Sequence, residues 1–99
     1  MSWSKEKALG RIRDVGLVPI VRAPSAEDAL LAAEAIVAGS IGILEITMTV
    51  PNAIQVIEKV ANKFGDKLLL GAGTILDTET GRAALLAGAE FIVTPALNL

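Results

Sequence analysis

Two residue types that carry much of enzyme chemistry are missing from this chain of 99 residues, which contains no cysteine and no histidine. Without cysteine, the chain can form neither a disulfide bond nor a thiolate nucleophile. Without histidine, general acid/base catalysis falls to a carboxylate, a lysine or a bound water. A transition-metal site would have to use oxygen ligands alone, so we expect no metal and no cofactor.

Extended basic and apolar segments are missing as well. The net charge is −2 and both signs are scattered along the chain, so we expect no nucleic-acid partner. No apolar run approaches the roughly 18 residues of a membrane helix, and the first residues carry no apolar signal segment. These features predict a cytoplasmic protein with no membrane partner.

The apolar content that is present comes almost entirely from small and branched aliphatic side chains. Hydrophobic residues make up 53% of the chain and aromatic residues only 3%. Alanine, leucine, isoleucine and valine fill the cores of proteins in which helices cover a parallel sheet. The composition therefore favours a parallel α/β protein.

Apolar periodicity and helix-end signals divide the chain into alternating helices and strands. An amphipathic helix over 5–15 comes first, and Gly16 ends it. Four apolar runs then predict strands at 17–21, 41–47, 68–73 and 89–94. The helices between them run from a Ser25 cap to Ala38, from Pro51 to Gly65, and over 77–87.

Strands that alternate with helices predict right-handed crossovers and a parallel sheet. We therefore expect the (β/α)4 half of a TIM-type (β/α)8 barrel with a short N-terminal helix. A small doubly wound sheet is the alternative. In domain terms, residues 1–99 form one half-barrel domain, with the lead-in helix at 1–16 and the four strands at 17–99.

Glu45 is the most informative candidate for chemistry. It lies in a predicted strand between apolar neighbours, where an unpaired carboxylate is costly and its pKa is expected to rise. A raised pKa suits general acid/base catalysis near neutral pH. The structural alternative is an ion pair with Arg22 on the adjacent strand, and both can hold if Arg22 also neutralises an anionic substrate.

Weaker signals lie at the ends of the other strands, where ligands gather in parallel α/β proteins. The glycine-rich end of the third strand, with Gly73 and Thr74, would let a ligand approach bare backbone. Thr74 could equally cap a turn. Thr49 is either a helix N-cap or a hydroxyl that faces a ligand. The five lysines all have the pattern of solvated surface charges.

Four segments together closely resemble the KDPG/KHG aldolases, which act on 2-keto-3-deoxy-6-phosphogluconate and 4-hydroxy-2-oxoglutarate. They are LVPIVR at 17–22, LEIT at 44–47, GAGT at 71–74 and AGAEFIVTP at 87–95. The resemblance covers the first half of a family member, roughly strands one to four. It implies a class I aldolase, in which a lysine forms a Schiff base with the substrate ketone and cleavage leaves pyruvate as an enamine.

The resemblance also implies roles for individual residues. Glu45 would shuttle protons through water, Thr74 would help to hold the pyruvate carboxylate, and Pro95 would line the same pocket. Some relatives carry arginine where this chain has Thr49, so Arg22 is expected to take over anion binding. The Schiff-base lysine of the family lies on strand six, outside these residues.

Three functional hypotheses follow. In the first, the chain is part of an aldolase that cleaves 2-keto-3-deoxy-6-phosphogluconate to pyruvate and glyceraldehyde 3-phosphate, and it is inactive alone. In the second, it is a truncated or engineered non-catalytic half-barrel that self-assembles through its open edges. In the third, it is a flavodoxin-like module that binds an anion. The resemblance implies a trimer for full-length family members, and we expect a dimer or larger homo-oligomer for the half-barrel.

Overall fold

The computed structural model describes residues 3–95, in which helices and strands alternate as predicted. The elements are α1 (Lys5–Val15), β1 (Ile20–Val21), α2 (Ala26–Ala38), β2 (Ile43–Thr47), α3 (Ala53–Phe64), a 3₁₀ turn (Gly65–Lys67), β3 (Leu69–Gly73), α4 (Thr78–Ala87) and β4 (Phe91–Ile92).

The four strands form one parallel sheet in the order β1-β2-β3-β4. Each strand therefore pairs with the next strand along the chain, and each crossover contains one helix. A doubly wound sheet would reverse the direction of strand addition near its middle. The order confirms the predicted succession of (β/α) units. The doubly wound alternative, and with it the flavodoxin-like module, is wrong for the described residues.

One face of the sheet carries the apolar core. Val21, Ile46 and Ala72 are neighbours in register and point to the same side of the sheet. All three are buried, and they join buried residues of α2, α3 and α4 in a single cluster. The three helices that follow the strands therefore cover the same face, as the outer layer of a barrel does.

The opposite face is the one that would line a barrel interior. One row of residues crosses it in register, comprising Ile20, Glu45, Gly71 and Phe91. Ile20 is 52% exposed because β1 is the edge of the described sheet. The apolar run at 17–21 is typical of a strand buried on both faces, and this interpretation is wrong for the inward-facing side chain of Ile20.

The helix ends follow the sequence signals closely. Gly16 ends α1 in a left-handed conformation (φ 78°), and its N–H donates to the carbonyl oxygen of Ile12. Ser25 caps α2, because its hydroxyl oxygen accepts a hydrogen bond from the Asp28 N–H at 3.1 Å. These two predicted helix boundaries are confirmed.

The start of α3 differs from the prediction. Pro51 was expected to open this helix, but the helix begins at Ala53. Asn52 is its N-cap and has a left-handed backbone (φ 56°), which asparagine tolerates better than most residues. Thr49 therefore lies in the loop between β2 and α3, and its interpretation as the N-cap is wrong.

The two outer strands are shorter than predicted. Each contains only two residues, although backbone hydrogen bonds continue the pairing on both sides of β4: the N–H of Glu90 donates to Leu70 and the N–H of Val93 donates to Ala72. Strand length depends on partners as well as on apolar pattern, and each outer strand has a described partner on one side only.

The N-terminal helix covers the end of the sheet where the strands begin. Arg11 donates from Nη1 to the carbonyl oxygen of Gly42 at 3.0 Å, directly before β2. The Arg11 guanidinium also lies 4.8 Å from the centre of the Trp3 ring. The backbone N–H of Trp3 donates to Glu90 Oε2 at 3.3 Å, so the start of α1 is tied to the segments that lead into the second and the fourth strand. Within residues 3–95, no helix is both long and apolar enough to cross a membrane.

Candidate active site

The candidate residues gather at the edge of the sheet where the strands end. Arg22 directly follows β1, Gly73 closes β3, and Pro95 lies exposed three residues beyond β4. Glu45 lies within β2, two residues before its last residue. Because the strands are parallel, their carboxyl ends share one edge, which is where active sites of such folds are built.

Glu45 is buried on the inward-facing side of the sheet. The residue is 4% exposed, and no side chain among residues 3–95 donates a hydrogen bond to its carboxylate. Burial raises the pKa of Glu45 above its usual value, and the positive charge of Arg22 partly opposes this rise. The raised pKa expected from sequence is therefore present, and it suits a group that gives and takes protons near neutral pH.

Arg22 influences Glu45 without forming an ion pair with it. No nitrogen of Arg22 lies within 4.0 Å of a Glu45 carboxylate oxygen in the described structure, where the ion pair found joins Lys63 and Glu34. The predicted structural ion pair is therefore wrong for this structure. Arg22 is exposed at the mouth of the site, where its guanidinium is free to meet an anionic ligand.

The two glycines of β3 make room for side chains of neighbouring strands. A Cβ atom on Gly71 would lie 2.2 Å from Cζ of Phe91, and one on Gly73 would lie 1.5 Å from Oε1 of Glu45. Bare backbone was predicted to admit a ligand at this strand end. The structure shows that it admits the Phe91 ring and the Glu45 carboxylate.

A pair of hydroxyl groups lies beside Glu45 at the end of β2. Thr47 shares the inward face with Glu45, is fully buried, and has its Oγ1 at 2.6 Å from Oγ1 of Thr49 and at 3.4 Å from the carbonyl oxygen of Val21. Thr49 is exposed at the mouth of the site.

Thr74 has an unusual backbone conformation directly after β3. Its φ of 57° lies in the left-handed region, which is a genuine outlier for a β-branched residue. Strain of this kind persists only where surrounding structure enforces it, and it concentrates at functional sites. The next residue, Ile75, donates its N–H to the carbonyl oxygen of Val93, so the strained turn is joined to the segment after β4.

Sequence reasoning missed two features of this site: the role of Phe91 and the left-handed conformation of Thr74. Thr47 was visible as a polar residue at the end of the second strand, and strand alternation places it on the same face as Glu45. The two missed features depend on register and on local backbone geometry, for which the sequence carries no direct signal.

The remaining ionisable groups do not add a second chemical centre. All five lysines are exposed, as predicted. Within residues 3–95, acidic side chains form no group of three or more that could hold a metal ion. The arrangement offers one buried carboxylate with a nearby positive charge and hydroxyls at the mouth of an inward-facing surface. Chemically, it can move protons and bind an anion.

Comparison with known proteins connects this geometry to a family of enzymes. The family model for KDPG and KHG aldolase matches residues 9–99. The 2-dehydro-3-deoxy-phosphogluconate aldolase of Treponema pallidum (strain Nichols) is 37% identical over 92 residues, which are 93% of this chain and 42% of that protein.

Solved structures show the same relationship. The 2-keto-3-deoxy-6-phosphogluconate aldolase of Zymomonas mobilis ZM4, determined with 3-phosphoglycerate, matches with a TM-score of 0.80 and 32% identity over 96% of this chain and 44% of its own. The KDPG aldolase of Legionella pneumophila, with pyruvate captured as a covalent carbinolamine, matches with a TM-score of 0.74 and 38% identity over 82% of this chain and 39% of its own.

These matches also define how much of the relatives the chain represents, since it spans about two fifths of their length. The four-stranded parallel sheet thus corresponds to about half of a TIM-type barrel, as predicted. The family model covers residues 9–99, which is most of the chain. The chain belongs to the family of KDPG and KHG aldolases.

Proposed function

We propose that this chain supplies the acid/base half of a class I aldolase active site that cleaves 2-keto-3-deoxy-6-phosphogluconate into pyruvate and glyceraldehyde 3-phosphate. The observation that carries the proposal is the position of Glu45, a buried carboxylate with a raised pKa on the inward face of the sheet. A group of this kind can take a proton from the substrate and return it within one cycle.

Glu45 acts on a substrate that is held by its neighbours. As a base, it removes the hydroxyl proton through a water while the carbon–carbon bond breaks, and as an acid it returns a proton to the enamine carbon of pyruvate. Thr74 and Gly73 hold the pyruvate carboxylate, and Pro95 lines the pocket. Arg22 and Thr49 bind the anionic and hydroxyl groups at the open side.

The nucleophile of the reaction comes from outside these residues. The resemblance to the family implies a Schiff-base lysine on a sixth strand, and all five lysines of this chain are exposed. A solvated lysine lacks the apolar pocket or neighbouring cation that activates the amine of a Schiff-base enzyme. We further propose a cytoplasmic homo-oligomer that works on a 2-keto acid without a cofactor.

A chimeric barrel provides the test of this function. Residues 9–99 would replace the matching part of the Treponema pallidum relative, and pyruvate release from 2-keto-3-deoxy-6-phosphogluconate and from 4-hydroxy-2-oxoglutarate would be measured. We expect Glu45→Gln to lower kcat about 100-fold to 10,000-fold, the usual contribution of a general acid/base. Glu58→Gln removes an exposed carboxylate from α3 and serves as the matched control, with activity unchanged. An active chimera that is indifferent to Glu45→Gln would contradict the proposal.

The chain alone is expected to show negligible retro-aldol activity. Without a suitable amine, no covalent intermediate forms and the cleavage loses its electron sink. The measurement is borohydride trapping with pyruvate, followed by intact mass spectrometry. A pyruvyl adduct on the chain alone would show that one of its own amines is the nucleophile, and the proposed division of roles would then be wrong.

A second candidate function is a non-catalytic half-barrel that self-assembles. The observation in its favour is the exposure of apolar side chains at both edges of the described sheet, with Ile20 at 52% and Val93 at 42%, and on α4, with Leu86 at 74%. Such edges favour pairing with another copy. In this case the chimeric barrel would cleave the substrate, whereas the homo-oligomer formed by the chain alone would show no aldolase activity.

A further inference from the structure

The side chain of Glu45 has two directions in which it could lean. Its strand lies between β1 and β3, and Glu45 pairs with Ile20 on one side and with Gly71 on the other. Its Oε1 atom occupies the space beside Gly73, since a Cβ atom there would lie only 1.5 Å away. The carboxylate therefore leans over β3 and away from β1.

Of the two spaces that the glycines of β3 leave open, the carboxylate occupies the one beside Gly73. The equivalent space beside Gly71 already holds the Phe91 ring, which would lie 2.2 Å from a Cβ atom at that position. The two glycines thus have different occupants. Gly71 accommodates an aromatic ring that reaches across from β4, and Gly73 accommodates the acid of β2.

The β1 side offers Glu45 a different partner. Arg22 lies two residues beyond Ile20, so strand alternation brings it to the same face as Glu45. The positive charge of Arg22 lowers the pKa of Glu45, yet the nitrogens of Arg22 lie more than 4.0 Å from the carboxylate oxygens. An arginine in this position would form an ion pair with a glutamate that leaned toward β1.

We propose that Gly73 is a positioning residue that keeps the Glu45 carboxylate on the β3 side of the sheet and so prevents its ion pair with Arg22. The absent side chain at Gly73 leaves Glu45 able to exchange protons and leaves Arg22 able to bind an anion. The catalytic meaning of this separation rests on the proposed function, whereas the geometric claim can be tested without substrate.

A methyl group at position 73 would remove the space that the carboxylate occupies. On the β3 side the Phe91 ring blocks the alternative space, so the Glu45 side chain would turn toward β1. There it would meet the Arg22 guanidinium, which favours the charged form of the acid. The substitution should therefore convert an unpaired acid into one member of an ion pair.

The first measurement leaves Gly73 in place and removes the charge of Arg22. Carboxyl carbon NMR of the chain with labelled glutamate reports the ionisation of Glu45 directly. We expect Arg22→Gln to raise the pKa of Glu45 by well under one unit, because the two charges act on each other without contact. A rise of about one unit or more would show that the pair is already formed in solution and would overturn the proposal.

The second measurement changes the glycine. Gly73→Ala should lower the pKa of Glu45 by about one unit or more, and adding Arg22→Gln should reverse most of that fall. Gly81→Ala is the matched control, because a Cβ atom on this buried glycine of α4 meets only ordinary contacts of 3.5 Å and beyond. It should leave the pKa of Glu45 unchanged.

Each outcome decides the proposal. If Gly73→Ala leaves the pKa of Glu45 unchanged or raises it, Gly73 does not hold the two charges apart. If the variant does not fold, as judged by circular dichroism, the Arg22→Gln measurement on the otherwise unaltered chain decides alone. None of these measurements uses substrate. A failure of the proposed aldolase function would therefore not change them, and the two proposals can fail separately.

Discussion

Glu45 places a carboxylate among apolar residues, and this placement affects stability as well as chemistry. Burial raises the pKa of Glu45 above its ordinary value of 4.5, so the folded protein binds a proton there more tightly than the unfolded chain does. Stability therefore falls as pH rises from the unfolded value through the folded one. Above that window, the charged carboxylate opposes folding by a constant amount.

Replacing this carboxylate should stabilise the chain at neutral pH. We expect Glu45→Gln to raise the thermal midpoint by a few degrees at about pH 8 and to change it little at about pH 4, where the carboxyl is neutral in both states. Calorimetry or circular dichroism at the two pH values would measure this. Glu58→Gln removes an exposed charge and should show no such difference. A loss of stability at the higher pH would mean that the charged form is held by a favourable partner.

The identity of the acid was predictable from sequence, but its direction was not. An acidic residue between Leu44 and Ile46 marks an unusual carboxylate whatever the fold. Whether it leans toward Arg22 or toward Gly73 depends on strand register and on the space left by neighbouring strands. These are properties of the assembled sheet, so the ion pair that the sequence suggested was not found.

At the scale of helices and strands, two glycines show how context decides the effect of one methyl group. Gly88 follows α4 with a φ of 123°, and a Cβ atom there would lie 2.5 Å from Cβ of Ala61 on α3. Gly10 lies inside α1, and a Cβ atom there would meet nothing within 4 Å. The first glycine permits two helices to approach, whereas the second only weakens its own helix.

The two alanine substitutions should therefore have opposite signs. Gly88→Ala is expected to lower the free energy of unfolding by about 1–3 kcal/mol, through overpacking and a strained backbone. Gly10→Ala is expected to raise it by up to about 1 kcal/mol through helix propensity. Urea denaturation of both variants would compare them. Equal effects would show that the approach of α3 and α4 does not depend on Gly88.

Helix boundaries were predicted better than strand boundaries, for a physical reason. Caps such as Gly16 and Ser25 act through hydrogen bonds to residues three or four positions away, so the relevant partners are visible in the local sequence. Strands receive their hydrogen bonds from distant segments, and the apolar run at 17–21 begins before β1, which contains only its last two residues. Asn52 is an exception among the helix ends, because its left-handed backbone makes it the N-cap and the helix begins at Ala53, two residues after the predicted start at Pro51.

At the scale of the whole molecule, the open edges of the sheet predict self-association. Leu85 and Leu86 are 51% and 74% exposed on α4, and Val93, the residue after β4, is 42% exposed. Together with the exposed Ile20 at the opposite edge, they form apolar surfaces of the kind that mark interaction sites. We expect the isolated chain to form a dimer or larger assembly in solution.

Light scattering after size exclusion would measure the assembly. Leu86→Lys should shift the chain toward the monomer, because the charge would have to be buried at the new contact. Gln55→Lys adds the same charge to an exposed position of α3, which lies between α2 and α4, and should not change the mass. A monomeric parent chain with a cooperative unfolding transition would contradict the expectation.

The tie between the first helix and the last strand has a consequence for the order in which the chain folds. Trp3 is the sole tryptophan of the sequence, and its backbone N–H reaches Glu90 across a separation of 87 residues. During synthesis, this contact cannot form until Glu90 has left the ribosome. The Trp3 ring itself lies over the Arg11 guanidinium, which is hydrogen-bonded to the segment before β2. The intrinsic fluorescence of the protein therefore reports the docking of the first helix on the start of the sheet, whereas the hydrogen bond to Glu90 forms only after the segment that leads into the fourth strand is made.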